Sequence, residues 1–432
     1  MNRVSTNDVK LEDYSEIVPE RIFTEINHTA NSLKGLRVVH VNATFNGGSV
    51  NEILKSLTPL MRDVGIDARW YTLTPGESFY SVCNKLQHAL RSENFKLNES
   101  DIDLYLANNK KAANTLSSMG VTADVWLFHD FQVLPMLSYM NPCLGLWVCH
   151  DGVTELNNGI KDLLLPHMMN YRVIVSSLPK YFTHHHNPCE TVIIPPAIDP
   201  LLPRHSAISM RKAKEILSDL GIDSNRPVIG HISHFDNWDN LRYIIDAYRI
   251  ARRKIRGLQL ALTDTSNARE NQESQGVLAI LNQYAGDDPD IYVFSDHGAI
   301  GEKEINALQG GVDVIIQHPA HAGFDLRITE AMWKERPVIG GNCDGIRFQI
   351  RDGIVGFVVD DVTTCARKII ALLKDPAFAA VIGSAARESV RKKYLMPRLL
   401  RDYLKLFSRL TNGQDKVLAG TDPSSRKEIA NV

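Results

Sequence analysis

A chain of 432 residues is long enough for two hydrophobic cores, since single cores stop growing near ~250–300 residues. Apolar residues make up 44% of it and charged residues 23%, the profile of an ordinary globular protein. A formal net charge of −2 excludes a global electrostatic pull towards nucleic acid or membrane, and no apolar run approaches the ~18 residues of a transmembrane segment. The six cysteines (Cys83, Cys143, Cys149, Cys189, Cys343, Cys365) contain no C-x-x-C pair, which argues against a zinc ribbon and a secreted disulfide framework. The polar, acidic stretch 2–20 has no apolar core of a signal peptide, so a cytoplasmic location is expected.

The first strand is expected at 37–42, followed by Gly47-Gly48. Val50, Ile53, Leu54, Leu57, Leu60 and Met61 then recur at helical spacing up to Gly65, and 68–73 reads as the next strand. Strand, helix and strand in that order form a βαβ unit and imply a parallel sheet. Further short buried runs lie at 125–128, 144–149, 173–175 and 192–194. The stiff segment Pro195-Pro196-Ala197-Ile198-Asp199-Pro200 continues neither a strand nor a helix and marks the domain boundary. Beyond it the alternation restarts, with strands at 228–233, 258–262, 291–294, 312–316, 337–340 and 356–359 and a helix from about Leu241. The expectation is a first domain over 1–198, a second over 199–396, a final helix over 397–410 packing back on the first, and a disordered tail over 412–432. Two doubly wound domains in tandem bind ligands at the carboxyl ends of their strands, across the cleft.

Candidate site residues follow from those strand ends. Gly47-Gly48 lets backbone approach a ligand at a helix N-terminus, or is a plain turn; Asn51 stands where a dinucleotide fingerprint needs its third glycine. His129-Asp130 and His150-Asp151 both end buried strands and point to the cleft, where a histidine can bind a sugar hydroxyl or simply hydrogen-bond backbone. His184-His185-His186 lacks the i, i+4 spacing of a zinc helix and reads as a solvated loop; no metal or cofactor is expected. The most informative stretch runs Ala322-Gly323-Phe324-Asp325-Leu326-Arg327-Ile328-Thr329-Glu330, a glycine-bearing loop opening a helix. A second such loop runs from Gly340 to Gly345, and together they can offer several N–H groups to a diphosphate.

With these residues in place, the chain resembles the family-4 retaining glycosyltransferases of the GT-B fold, and within them the trehalose synthase (glycosyltransferring) group. The resemblance spans nearly the whole chain. It rests on 11–14, on 39–44 with Gly47-Gly48, on Cys149-His150 and on 194–200, then on 245–249, 304–309, 329–334 and 352–357. It implies an acceptor-side first domain, a second domain for a nucleotide-diphospho-sugar, and sugar transfer with retention to a sugar or small-molecule acceptor. It places Gly47 and Gly48 near the sugar phosphates, His150 against the transferred sugar and Glu330 on the ribose hydroxyls. Symmetric dimers are common among such enzymes, so a homodimer is the candidate assembly.

The pattern breaks at the diphosphate. Where the family has an Arg and a Lys, this chain has His234 and Asp239. Its paired glutamates become Ala322 and Glu330, and its Gly-Phe-Gly loop becomes Gly323-Phe324-Asp325. With histidine neutral, three of these exchanges remove four positive units and the loss of one glutamate returns one. At ~4 kcal/mol per unit charge at ~4 Å and an effective dielectric of ~20, a diphosphate cannot ignore that difference. Asp325 also reads as the N-cap of the following helix. Arg327, Arg347, His231, His297, His318 and His321 are candidates to restore positive charge, and both arginines equally suit salt bridges with Asp325 or Asp344. Three readings remain: a transferase with a rewired site, including a phosphorylase-like one; a degenerate homologue that binds a sugar or a partner; and a pseudo-glycosyltransferase forming a non-glycosidic bond.

Overall fold

The computed structural model describes residues 1–44, 48–91, 97–150, 158–179, 189–235, 237–265, 272–295, 300–318 and 323–411. The N-terminal sheet consists of β1 (Asn2–Arg3), β2 (Arg37–Asn42), β3 (Asp67–Thr72), β4 (Val125–His129), β5 (Gly145–Cys149), β6 (Val173–Ser176) and β7 (Glu190–Ile193). Their spatial order is β1-β3-β2-β4-β5-β6-β7, parallel throughout except for β1 against β3. The run Val38 to Asn42 carries no polar alternation because β2 lies mid-sheet and is buried on both faces. Helices α1 (Glu20–Asn31), α2 (Ser49–Asp63), α3 (Glu77–Arg91), α4 (Glu99–Ser118) and α5 (Asn158–Met168) flank the strands. The stripe Ile53, Leu54, Leu57, Leu60 and Met61 of α2 is buried, as its spacing predicts.

The C-terminal sheet is wholly parallel, in the order β10-β9-β8-β11-β12-β13. Its strands are β8 (Val228–Ser233), β9 (Gln259–Asp264), β10 (Ile291–Phe294), β11 (Val314–Gln317), β12 (Val338–Gly341) and β13 (Phe357–Val359). The helices are α6 (Met210–Asp219), α7 (Trp238–Arg252), α8 (Gln272–Ala285), α9 (Glu302–Gly311), α10 (Leu326–Trp333), α11 (Asp344–Gln349), α12 (Val362–Lys374), α13 (Pro376–Lys393) and α14 (Met396–Thr411). Two doubly wound α/β domains facing across a cleft make this the GT-B architecture.

Local differences from the sequence expectation have local causes. The strand expected at 312–316 starts at Val314, because Val312 closes α9 and the Asp313 carboxylate accepts the Val228 N–H at 2.8 Å. Helix α7 starts at Trp238 rather than near Leu241, capped by Asn237, whose side chain accepts the Asn240 N–H at 3.2 Å. Strand β1 was not expected at all; two polar residues carry no periodic signal, and pairing with Tyr71 and Thr72 alone makes them a strand. The tail 412–432 and His184-His185-His186 lie outside the described residues.

The chain passes between domains twice, and the two passages are hydrogen-bonded to each other. Ile198 N–H donates to the Tyr394 carbonyl at 2.9 Å, and Met396 N–H to the Ile198 carbonyl at 3.0 Å. The buried Arg398 guanidinium donates to the Pro195 and Pro196 carbonyls at 2.7 and 3.0 Å. From there α14 returns to pack on α1 and α2, burying Leu399, Leu400, Tyr403, Leu404, Phe407 and Leu410.

Replacing Arg398 by Met keeps the apolar volume but strips both carbonyls of a charged donor. A loss of about 3–6 kcal/mol is expected in urea unfolding, from two charge-assisted bonds of about 1.5–3 kcal/mol each. Arg391→Met, at an exposed pair with Glu388, is expected to stay within about 0.5 kcal/mol.

Candidate active site

A cavity of about 540 Å³ opens between the domains at the carboxyl ends of both sheets. Gly48, Ser49, Glu52 and His150 line it from the first domain. Arg204, His234, Asp264, Phe324, Asp325, Leu326, Arg327 and Glu330 line it beyond the boundary. Gly48 stands directly before α2 with φ +83°, a backbone conformation that side chains disfavour, so glycine is required there.

Of the residues singled out in the sequence, Gly48, His150, His234, Phe324, Asp325, Leu326, Arg327 and Glu330 therefore come together. Asp239 does not: it lies in the first turn of α7, largely exposed, and pairs with Arg242 at 3.1 Å. Its negative charge thus faces solvent rather than the cavity. Gly323 and Gly345 also lie outside the lining, Gly345 being buried in α11. Gly47, Asp151, Ala322, His297 and His321 fall outside the described residues.

The second-domain wall is built on α10. Asp325 caps it, its Oδ1 accepting the Arg327 N–H at 3.0 Å and the Arg327 Nε at 2.9 Å. Gln349 ties this end to α11: its amide oxygen accepts the Asp325 N–H at 3.0 Å, and its NH₂ donates to the Asp325 carbonyl and the Thr329 hydroxyl. Arg347 pairs with Asp344 at 2.6 Å and lies outside the lining. His231 is buried, bonded to the Ile316 carbonyl at 2.8 Å, and burial pushes it down to about 4. His318 stacks on Tyr243 and bonds Asn240. Neither histidine lines the cavity, so neither supplies positive charge there.

Glu330 is 2% exposed, and burial alone would raise its pKa. The Arg204 guanidinium at 3.3 Å, His205 at 3.2 Å and the Gln309 amide outweigh that and hold it at about 2. Arg204 also reaches Glu52 of α2 at 3.5 Å and Glu302 of α9 at 4.0 Å. One guanidinium thus serves three carboxylates drawn from both domains. Sequence reasoning missed Arg204, His205, Gln309 and Glu52. The only signal was a basic Arg204-His205 pair just past the boundary prolines, with nothing to connect it to a carboxylate 125 positions on.

On the opposite wall, His150 is held by backbone and ring. Asp130 accepts the His150 N–H at 2.9 Å while its own backbone has φ +64° and ψ 178°, a region almost reserved for glycine. The strain is held by Asp130 N–H donating to the Val148 carbonyl at 2.8 Å and by Trp147 Nε1 donating to the Asp130 carbonyl at 3.1 Å. Burial pushes the Asp130 carboxyl up to about 7, against the opposing bond from the His150 N–H. Among the described residues no three His, Cys, Asp or Glu side chains are grouped to hold a metal ion. No single helix there is long and apolar enough to cross a membrane.

Two measurements check this electrostatic picture. Arg204→Met leaves Glu330 as an uncompensated buried charge, and a loss of about 3–5 kcal/mol is expected near neutral pH. A depressed carboxylate contributes stability above its unfolded pKa and loses it as pH falls, so this cost should shrink from about pH 4.5 towards about 2. The Arg204→Met/Glu330→Gln double variant should lose less than the two single losses combined. Asp130 has the opposite sign: its raised pKa makes ionisation a penalty that develops between about pH 4 and 7. Asp130→Asn should therefore raise the thermal midpoint at pH 8, with the gain fading below pH 4.

Two family models match the chain in tandem. Residues 40–183 match the family model described as the trehalose synthase N-terminal domain, and residues 226–375 match glycosyl transferases group 1. The chain is 35% identical to a trehalose synthase of Rubrobacter xylanophilus over 95% of its length and 99% of that protein's. It is 34% identical to a trehalose synthase of Pyrococcus horikoshii over 94% and 98%. Among solved structures, an alpha,alpha-trehalose-phosphate synthase (UDP-forming) from Burkholderia vietnamiensis superposes with a TM-score of 0.68 at 14% identity, covering 87% of this chain and 98% of that one. A sucrose-phosphate synthase from Thermosynechococcus elongatus gives 0.67 at 14% identity, covering 87% and 99%. The likeness to these structures concerns the fold; the family follows from the sequence relatives, and the chain belongs to the trehalose synthase family of group 1 glycosyltransferases.

Proposed function

We propose that this enzyme is a retaining hexosyltransferase that takes its sugar from a nucleotide-diphospho-sugar and passes it to a sugar or small-molecule acceptor. The supporting observation is the cavity itself. Gly48 and His150 face Arg327 and Glu330 across a space large enough for a hexose and its leaving group. In this reading the domain over 1–198 takes the acceptor and the domain over 199–396 takes the activated sugar. His150 contacts the transferred sugar, and the backbone at Gly48 approaches the sugar phosphates. Glu330 accepts from the ribose: His205 occupies only one lone pair of Oε1, whereas Arg204 and Gln309 occupy Oε2. Transfer then depends on positioning and on stabilising the departing charge. Arg204 and Arg327 are the guanidiniums in the described wall that can meet it. The relatives named trehalose synthase make a glucosyl donor with glucose as acceptor the first pair to test.

Charge favours a second reading. Five carboxylates (Glu52, Asp264, Glu302, Asp325, Glu330) and two guanidiniums line the described cavity, a poor match for a diphosphate. A homologue that binds a sugar without transferring it, or a phosphorylase-like enzyme releasing simple phosphate, suits that wall better. Calorimetric titration with nucleotide-sugars, free nucleotides and inorganic phosphate separates these. Heat with a nucleotide-sugar, and tenfold or greater weakening in Glu330→Ala, is expected of the first reading. Folded protein that gives no heat with any nucleotide sinks it, and unchanged affinity in Glu330→Ala removes the ribose role.

A further inference from the structure

Three of the stretches that carry the family resemblance, 11–14, 304–309 and 329–334, contain residues that no role assigned so far uses. They meet around the segment 203–206, whose Arg204 and His205 side chains reach Glu330 at 3.3 and 3.2 Å. Side chains of two helices take three of the four backbone carbonyls of that segment. Asn306 of α9 donates to the Pro203 carbonyl at 2.6 Å and to the Ser206 carbonyl at 3.1 Å. Trp333 Nε1 of α10 donates to the His205 carbonyl at 3.0 Å. Lys334 Nζ, at the C-terminus of α10, donates to the Ser206 carbonyl at 2.7 Å and to Asn306 Oδ1 at 2.5 Å. Asn306 and Trp333 are both buried.

We propose that Asn306, Trp333 and Lys334 are positioning residues that hold the backbone of 203–206 against α9 and α10 and so set where Arg204 and His205 meet Glu330. The proposal rests on the reading above in one respect only, that Glu330 receives a hydroxyl of the substrate. Hydrogen bonds internal to the segment fix its shape: the His205 and Ser206 N–H groups both donate to the Leu202 carbonyl, at 2.9 and 2.8 Å. They do not fix its place. At the near end Tyr14 of the first domain donates to Asp199 Oδ1 at 2.9 Å, an attachment on the far side of the domain boundary. The three donors attach the segment on the side of Glu330 itself.

Helical spacing brings the donors together. Asn306 and Gln309 are three apart on α9, and Glu330, Trp333 and Lys334 stand at i, i+3 and i+4 along α10 and its cap. Each helix therefore serves the segment and the Glu330 carboxylate from one face. Polarity fixes the pairing: a carbonyl only accepts and a lysine N–H donates, so the Asn306 NH₂ takes the carbonyls and its oxygen takes Lys334. Burial pushes the Lys334 amine down to about 7. Its two contacts each need one N–H, and the neutral amine still has two, so the hold survives loss of the proton. Donors to backbone carbonyls are indifferent to the side chains of the segment. Residues 204 and 205 are thereby left to serve Glu330 alone.

Variant cycles in urea unfolding of the ligand-free protein test this. The Arg204→Met/Glu330→Gln cycle measures the coupling between those two side chains, and it is repeated in Asn306→Leu and in Trp333→Phe backgrounds. Neither background removes a charge, and Trp333→Phe keeps a ring while deleting the N–H to the His205 carbonyl. Each is expected to lower stability and also to cut the Arg204–Glu330 coupling about twofold or more. A merely structural role lowers stability and leaves the coupling unchanged. That result in Trp333→Phe overturns the proposal, even where Asn306→Leu fails to fold. Calorimetry with UDP-glucose reads the same effect at the site: Trp333→Phe should weaken binding severalfold, with no further weakening in a Glu330→Ala background. Equal weakening in both backgrounds overturns action through Glu330. Because the unfolding cycles need no ligand, they decide the proposal even if UDP-glucose does not bind, an outcome that counts against the reading above instead.

Discussion

A carboxylate kept ionised in the interior organises this cleft. Burying Glu330 is tolerable only with charge and hydrogen bonds on both oxygens, and the groups that provide them come from separate parts of the chain. Arg204 and His205 belong to the segment that has just left the first domain, and Gln309 belongs to α9. Satisfying one side chain therefore pins the incoming linker against α9 and α10. Because Arg204 also reaches Glu52 of α2, the same guanidinium ties the facing domain to the site. The paired chain passages at Ile198 and Leu395 then restrict how the two sheets can move relative to one another.

That constraint recasts the loss of cations read from the sequence. The four exchanges do not act equally on the cavity. Asp239 faces solvent against Arg242, and the Asp325 charge is taken up by Arg327 and by the N-terminus of α10. The exchange that does remain in the cavity lining is His234, where the resemblance places an Arg. Against this stand Glu52, Asp264 and Glu302, none of which a motif comparison would count. The cavity is acidic because of residues outside the motifs as much as because of the altered motif positions.

The division between what was legible and what was not has a physical basis. Strands β2, β4, β5, β8 and β11 are continuous buried runs, and burial on both faces of a parallel sheet forces such runs on the sequence. Loop glycines and helix starts are similarly local, so Gly48 and the Asp325 cap could be read directly. Arg204 could not, because its partner is reached only after the second sheet has closed. Asp239 was placed by motif position, yet its orientation depends on the cap at Asn237 and on Arg242 three residues further along α7. His129 read equally well as a loop histidine or a ligand. It is neither, since it is bonded on both ring nitrogens to other histidines.

The two walls of the cleft consequently differ in character. On the side of Glu330 the wall is charged, and charge acts over several ångströms and is weakened by every counter-charge the protein itself provides. On the side of His150 the wall offers hydrogen bonding, which acts only at contact. Asp130 fixes the backbone of His150 through a strained conformation, and the stacked rings fix its orientation. A ring held through both its backbone and its stacking face has little freedom to rearrange. The wall at His150 is therefore the more rigidly held part of the cavity. At the opposite wall the charges are shared among Arg204, Arg327 and five carboxylates, and the buried Arg204–Glu330 pair among them is tied to the stability of the fold itself.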